Sequence, residues 1–426
     1  MKKVCISIIV VLGMWALTFS LVKPNSAQAA GFGLYEWSAR GNSMGGALVA
    51  TQNPDASTVA FNPAAMTMID ETETLLGASF ISPSVTVAID GVDTVTEDQT
   101  FIVPHAYYVN QIGERVWFGF GTYTRFGLGN EYDRDWQGND RLYKVDFQSS
   151  SISPTLAFKV TDDLSVGLGA ELFLAAIEIR RFLTSATLGG ISSDMEMKTW
   201  GQAIGANLSA YYTFNDEWAL GFMYRSGMRL HGDGNVNLEG PLASHPAVRW
   251  DSGDMSMDAN VPGSWTLGLS YTPFEELAME LDVVRTDWSS YKTFGFSFNP
   301  ETNLPDSIQE KMYKDVYRVQ FGVEYSPLDW MTVRGGYIFD QSPIRDGYED
   351  YMLPSNDRQL FSTGLGFAYG DWTLDTSYTY IVAKERNNMS HLTNLGGPLG
   401  LGGGGSDVDF KDGTVHIFGA SVGYKF

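Results

Sequence analysis

The chain has 426 residues and carries 28 Lys and Arg against 50 Asp and Glu, a formal charge of −22 that gives no electrostatic case for nucleic acid. With 44% hydrophobic and 13% aromatic residues it is too apolar to be a disordered chain. Its one cysteine, Cys5, lies at the start of a leader, so the mature chain has no disulfide framework and no thiol-ligated metal site.

Residues 1–29 read as a signal peptide. Lys2 and Lys3 form the positive start, residues 4–22 are almost wholly apolar, and Ala27-Gln28-Ala29 is a small-x-small cleavage site. The apolar run is long enough to raise a membrane anchor as the alternative. Lys23-Pro24-Asn25 ahead of the site favours cleavage, with Ala30 as the first mature residue. A lipoprotein cysteine follows its apolar run, whereas Cys5 opens this one. The leader takes three of the 28 basic residues and no acid, leaving 25 basic against 50 acidic. Beyond it there is no run of about 18 apolar residues, hence no transmembrane helix. A secreted soluble β-protein and a transmembrane barrel remain.

Residues 30–71 show no period-two run and are dense in small residues, among them Gly41, Gly45, Gly46, Ala47, Ala60, Ala64 and Ala65. Small residues permit close backbone packing in a confined space. This segment is expected to be a hatch or plug, because a ring of about fourteen strands leaves a lumen that needs filling. A periplasmic tail is the alternative.

From about residue 72 to 426 the chain alternates. Trp265, Leu267, Leu269 and Tyr271 are separated by Thr266, Gly268 and Ser270. Leu277, Met279, Leu281 and Val283 follow the same rule, as do Tyr317, Val319, Phe321, Val323 and Tyr325. Trp372, Leu374, Tyr378 and Tyr380 alternate with polar residues, and Phe418, Ala420, Val422, Tyr424 and Phe426 end the chain. Period two means strands with one apolar and one polar face. A soluble sandwich shares that pattern, so loop lengths have to decide. Tight turns are expected at Gly113-Glu114, Thr161-Asp162-Asp163, Asn215-Asp216, Pro273-Phe274, Pro327-Leu328-Asp329 and Gly370-Asp371. Long loops are expected over 229–258, 293–310, 341–357 and 386–412. Tight turns at one end and long loops at the other are the pattern of outer-membrane barrels. Aromatics such as Tyr212, Trp218, Tyr325, Trp330, Tyr369 and Trp372 flank the tight turns, as residues of a headgroup layer do. The fold class is therefore all-β: a transmembrane antiparallel β-barrel of about 14 strands, with a small N-terminal hatch. Tyr424 and Phe426, closing an alternating strand, are read as an assembly signal for the barrel assembly machinery.

Motifs with a chemical reading are few. Gly402-Gly403-Gly404-Gly405-Ser406-Asp407 resembles a calcium nonapeptide, but occurs once and has Asp409 where an apolar residue belongs, so it reads as an outer loop. His105, His231, His245, His391 and His416 lack metal-ligand spacing. No serine sits in a nucleophile elbow. The acidic residues 346–350 read as solvated surface, with a divalent ion bridging them to lipopolysaccharide as the less favoured alternative.

The residues resemble the outer-membrane long-chain fatty-acid transporter family (FadL type, including aromatic-hydrocarbon transporters of the TodX type). Ala30-Gly31-Phe32 is similar to the family's mature start and Asn62-Pro63-Ala64 to its hatch motif. The strongest match runs through Lys314-Asp315-Val316-Tyr317-Arg318, Trp330-Met331-Thr332-Val333-Arg334, Phe339-Asp340-Gln341-Ser342-Pro343 and Asp357-Arg358. The resemblance implies a hatch-closed barrel, with ligand entering from outside, binding against the hatch and leaving sideways at a kinked third strand. Gly127 and Leu128, ending a strand over 116–126, resemble the kink. Arg181-Phe182, late in the fifth strand, resembles the place where an arginine faces a carboxylate, and Phe32 joins them as a ligand contact. A headgroup lysine of the family falls on Gln309, with Lys311 two residues on and on the same face. The loop over 184–193 is short for a surface capture site.

The expected function is an outer-membrane channel for passive uptake of hydrophobic small molecules, long-chain fatty acids or hydrocarbons, with lateral release. The alternatives are a general porin for polar solutes and an outer-membrane adhesin. No cofactor is expected; the partners are the ligand and the lipid and lipopolysaccharide around the barrel.

Overall fold

In a computed structural model of the chain, residues 31–389 and 407–426 are described; the expected leader with Cys5, Ala30, His391 and the glycines at 402–405 lie outside them. Fourteen staves form one closed antiparallel barrel. In chain order the first seven are β1 (Glu73–Ile89), β2 (Phe101–Gly113), β3 (Val116–Tyr123, resumed as Leu128–Glu131), β4 (Lys144–Lys159), β5 (Leu164–Ser185), β6 (Ile191–Thr213) and β7 (Trp218–Arg225 and Met228–Glu239). There follow β8 (Gly253–Val261 and Ser264–Phe274), β9 (Leu277–Thr286 and Thr293–Phe298), β10 (Ser307–Glu310 and Val316–Leu328), β11 (Met331–Asp340), β12 (Arg358–Tyr369), β13 (Trp372–Ala383) and β14 (Val408–Lys425). The ring closes where β1 pairs with β14, from Glu73↔Lys425 to Ile89↔Val408.

Side-chain direction distinguishes this ring from a soluble sandwich. Phe418 and Val422 stand about half exposed on the outside of β14 while Ser421 between them is buried. On β10, Tyr317, Val319, Phe321 and Tyr325 face out while Gln320 and Glu324 are buried inside. Apolar residues outward and polar residues inward is the order of a barrel whose solvent is lipid. Aromatics collect at the tight-turn end, where Trp218 and Tyr271 stack at 4.3 Å and Trp372 lies 4.6 Å from Tyr424.

Two details differ from the sequence expectation. The turn expected at Pro273-Phe274 falls at 275–276, because β8 runs through Phe274. Much of the expected loops at 229–258 and 293–310 is ladder: Met228–Glu239 pairs with Gly253–Val261, and Thr293–Phe298 with Ser307–Glu310. Their outward face is polar, with His231, Asp233, Asp254 and Asp258, because they rise above the hydrocarbon, while Met255, Met257, Phe294, Phe296 and Phe298 are buried inward.

Residues 31–72 run inside the ring, with α1 (Ala39–Ser43), α2 (Thr58–Phe61) and a 3-10 turn at Pro63–Met68. Ser38 starts α1 by accepting the Gly41 N–H at 2.9 Å. The segment touches the wall so closely that a Cβ on inward-facing Gly221 would sit 1.9 Å from the Val49 oxygen, and one on Gly336 2.2 Å from the Gly45 nitrogen. Charge fixes it as well. The Arg40 guanidinium donates to Glu324 at 2.9 Å, and Arg334 spans from Glu324 at 2.6 Å to Asp375 at 2.5 Å. Asn62 caps the 3-10 turn, its side chain accepting from Ala64 N at 3.1 Å and donating to Val49 O at 2.6 Å and to Ala210 O at 3.0 Å. Ala64 N also donates to Ser209 Oγ at 3.0 Å, so Asn62-Pro63-Ala64 ties the segment to β6.

Breaking a buried ion pair by removing one partner costs about 3–5 kcal/mol. Arg40→Met should therefore loosen residues 31–72 while the ring stays intact, and raise single-channel conductance in planar bilayers. Wild-type conductance in a correctly folded Arg40→Met protein would mean that the pair does not hold the segment in place.

Candidate functional site

Above the inner segment the lumen opens into a cavity of about 690 Å³. Arg181 from β5, Gln309 from the upper part of β10, Lys311 just after it in the interruption of β10, and Arg141 from the β3–β4 connection all line it. Asp350 and Tyr351 of the β11–β12 loop also face it. Arg181 and Lys311, 130 positions apart in sequence, thus share one chamber. The Arg181 Nε is buried without a hydrogen-bond partner. Lys311 is 3% exposed; its ammonium donates to the Asp350 carboxylate and lies 5.9 Å from the Phe294 ring centre. Burial pushes the Tyr351 phenol up to about 12 and raises Tyr291 and Tyr313 too, so these hydroxyls stay neutral at physiological pH.

Phe182 is not part of that lining. Successive strand residues point to opposite faces, and Phe182 packs 5.5 Å from Tyr143 with the Arg134 guanidinium 5.2 Å from its ring. The acidic stretch 346–350, expected as solvated surface, divides: Asp346 is exposed, whereas Glu349 is buried against Arg386 at 2.5 Å and Asp350 turns inward to Lys311. Among the described residues no group of three His, Cys, Asp or Glu side chains is placed to hold a metal ion.

Deeper in, Met352 borders both this chamber and a small apolar cell of about 40 Å³. Phe32, Leu128, Phe147, Tyr291 and Phe294 line the cell. Phe32 is the hub of an aromatic cluster, with ring centres 4.7 Å from Trp288, 5.1 Å from Tyr291 and 5.6 Å from both Phe126 and Phe147. Gly31 beside it has φ +74°, and a Cβ there would lie 2.5 Å from the Trp288 ring. Trp288 and Tyr291, at the interruption between the two parts of β9, are site residues that sequence reasoning missed. Their only signal was a pair of aromatics next to a break in alternation.

The cell abuts a stave, β3, that breaks beside its neighbour. β3 pairs with β2 only as far as Ala106↔Thr122, and its resumed part pairs with β4 alone. Between them the chain turns to the inner segment instead: Leu34 N donates to Arg125 O at 2.7 Å and Gly127 N to Phe32 O at 2.9 Å. The strand expected over 116–126 therefore ends at Tyr123. Gly127 is not among the residues with positive φ, so the break does not rest on a left-handed glycine. Beneath it, Arg125 donates to Glu171 at 2.7 Å, and Arg225 donates to Tyr123 Oη at 2.7 Å and also to Ala60 O.

Comparison with known proteins bears on this geometry. The model of a family described as outer membrane protein transport protein (OMPP1/FadL/TodX) matches residues 20–426. A long-chain fatty acid transport protein of Salmonella typhi is 25% identical over 392 residues, covering 84% of this chain and 89% of that protein. The crystal structure of a Pseudomonas aeruginosa FadL homologue superposes with a TM-score of 0.83 at 20% identity, covering 93% of this chain and all of that one. The P. putida toluene transporter TodX superposes with a TM-score of 0.70 at 15% identity, over 92% of this chain and 99% of that one.

Replacing a buried Phe by Ala costs about 3–5 kcal/mol. Phe32→Ala should thus free the start of the inner segment for limited proteolysis while the ring keeps its heat-modifiable mobility on gels. A digestion pattern identical to wild type would show that Phe32 is not the anchor.

Proposed function

The chain belongs to the outer membrane protein transport protein family (OMPP1/FadL/TodX), and from that premise we propose a route for its cargo. The protein is an outer-membrane β-barrel that transports hydrophobic small molecules. A solute enters between the long loops, rests with any polar head beside Arg181 and Lys311, and passes its apolar part along Met352 into the cell formed by Phe32 and Leu128. It leaves sideways at the β3 break, marked by Gly127 and Leu128, into the hydrocarbon. Residues 31–72 act as the hatch that bars the way to the periplasm. The observation that carries this reading is the adjacency of the chamber holding Arg181 and Lys311, the apolar cell and the wall break, which are joined through Met352, Phe32 and Leu128. Driving force comes from removing apolar surface from water, about 0.8 kcal/mol per buried CH₂. No cofactor enters the path.

Relatives named for long-chain fatty acids and for toluene bracket an acid and a neutral cargo, and Arg181 is the residue that separates the two. A guanidinium binds both carboxylate oxygens. Arg181→Ala should weaken binding of a long-chain fatty acid by about 1.5–3 kcal/mol, the worth of a charged hydrogen bond, and leave a matching alkylbenzene unchanged. Arg181→Lys should recover only part of the loss. Equal weakening of both ligands in titrations would make Arg181 a shaping residue and not a headgroup partner.

The C-terminus is proposed as the signal read by the barrel assembly machinery. Phe426 N donates to Thr72 O at 2.9 Å beside the β1–β14 seam, and its ring meets Tyr424 at 4.8 Å. Deleting Phe426 should lower the amount of folded protein in the outer membrane several-fold, read by heat-modifiability of membrane fractions; unchanged levels would remove this role.

A further inference from the structure

We infer that Asp350 is a specificity-determining residue, which neutralises Lys311 inside the cavity and thereby limits how strongly the protein prefers acids over neutral hydrophobes. The inference rests on the proposal that the cavity receives the polar head of the cargo. It concerns a residue of the β11–β12 loop that lines the chamber and not the apolar cell.

Three observations carry it. Lys311 is almost wholly buried, and its ammonium is engaged by Asp350. Asp350 is held in place by its own loop: Oδ1 accepts the N–H of Met352 at 2.8 Å and of Leu353 at 3.2 Å, leaving Oδ2 for the lysine. Arg181, on the same cavity, has a buried Nε with no partner. Of the three basic residues on the lining, Arg181 and Lys311 therefore present themselves differently to an incoming anion. Arg181 faces the cavity with no hydrogen bond at its Nε. Lys311 is already neutralised, and a carboxylate reaching it must displace, or crowd, a carboxylate fixed by two backbone bonds. Like charges brought together at a buried site oppose binding. A neutral hydrocarbon meets no such opposition, because an ion pair left in place costs it nothing. Gln309, on the same cavity wall, adds hydrogen-bonding capacity without charge, in keeping with a chamber that tolerates both kinds of head.

Asp350→Asn tests this with little change of shape. The amide oxygen keeps accepting from Met352 and Leu353, so the loop stays folded, but the charge opposing an acid is gone. Affinity for a saturated fatty acid should rise at least about tenfold, the order of one charged hydrogen bond gained. Affinity for an alkane or alkylbenzene of similar length should stay within about twofold. Lys311→Gln alone should weaken the acid, because Asp350 then stands unneutralised, and the double variant should return close to wild type. An unchanged acid affinity in Asp350→Asn, or equal changes for acid and hydrocarbon, overturns the inference. The result is separable from the Arg181 reading. Loss of acid binding in Arg181→Ala with no gain in Asp350→Asn overturns only the role of Asp350. A gain in Asp350→Asn that persists in the Arg181→Ala background leaves Asp350 standing and moves the headgroup to Lys311.

Discussion

A peptide group facing hydrocarbon has no water to bond to, and leaving one unpaired costs several kcal/mol. The β1–β14 seam answers that constraint for the ring as a whole, since it joins the first and last staves along their length. The break in β3 is where the wall itself fails to answer it. There the N–H of Gly127 and the carbonyl of Arg125 are paired by Phe32 and Leu34 from inside. The wall can part at this level because the inner segment supplies the partners that a neighbouring strand would have given. Backbone at the break and floor of the apolar cell are thus held by the same few residues, and neither can move without the other.

That coupling explains the distribution of charge in the lumen. The inner segment must stay in register with the wall to within a hydrogen bond, and close packing alone would let it slide. Arg40, Glu324, Arg334 and Asp375 form a connected set of pairs between segment and wall, while Arg125, Glu171 and Arg225 pair wall with wall just below the break, and Arg225 also donates to Ala60 O of the segment. Buried pairs are weak contributors to net stability but costly to mispair. Here they fix register, and the glycines opposite them let the two backbones approach.

Much of this was legible in the sequence wherever one face of a strand met lipid. Alternation at 317–325 and 418–426 reads directly as strand, and the tight turns read from polar residues between aromatics. Legibility ended where lipid did. The upper parts of β7 to β9 turn polar or small residues outward, where no lipid lies, so they looked like loops although Met255, Met257, Phe294 and Phe296 are buried inward. The expected strand over 116–126 overran the break because Thr124, Arg125 and Phe126 continue the alternation, while the partner that interrupts the ladder lies some 90 positions away at 32–34 and leaves no local trace. Arg181 was visible only through family resemblance, and its relation to Lys311 and Asp350 only in three dimensions. The inward turn of Asp350 contradicts what a run of acids in a loop suggests, because a single buried lysine outweighs the local composition.

The layering of the lumen also bears on direction. Below the apolar cell lie the ion pairs of the inner segment, where a hydrocarbon chain would have to separate charges that have no water to return to. Beside the cell lies the wall break, and beyond it hydrocarbon. Moving a CH₂ from one apolar surrounding to another has almost no transfer cost, whereas returning it to water costs about 0.8 kcal/mol. The downward path is therefore opposed twice, by desolvated charge and by rehydration of the tail, and the sideways path by neither. On the proposed route a polar head reverses part of this balance, since it would have to leave Arg181 to follow its tail. On that route the strength of the headgroup contact consequently limits exit as much as it aids entry, and a chamber in which Lys311 is already neutralised by Asp350 suits passage better than one that binds the head with Arg181 and Lys311 together.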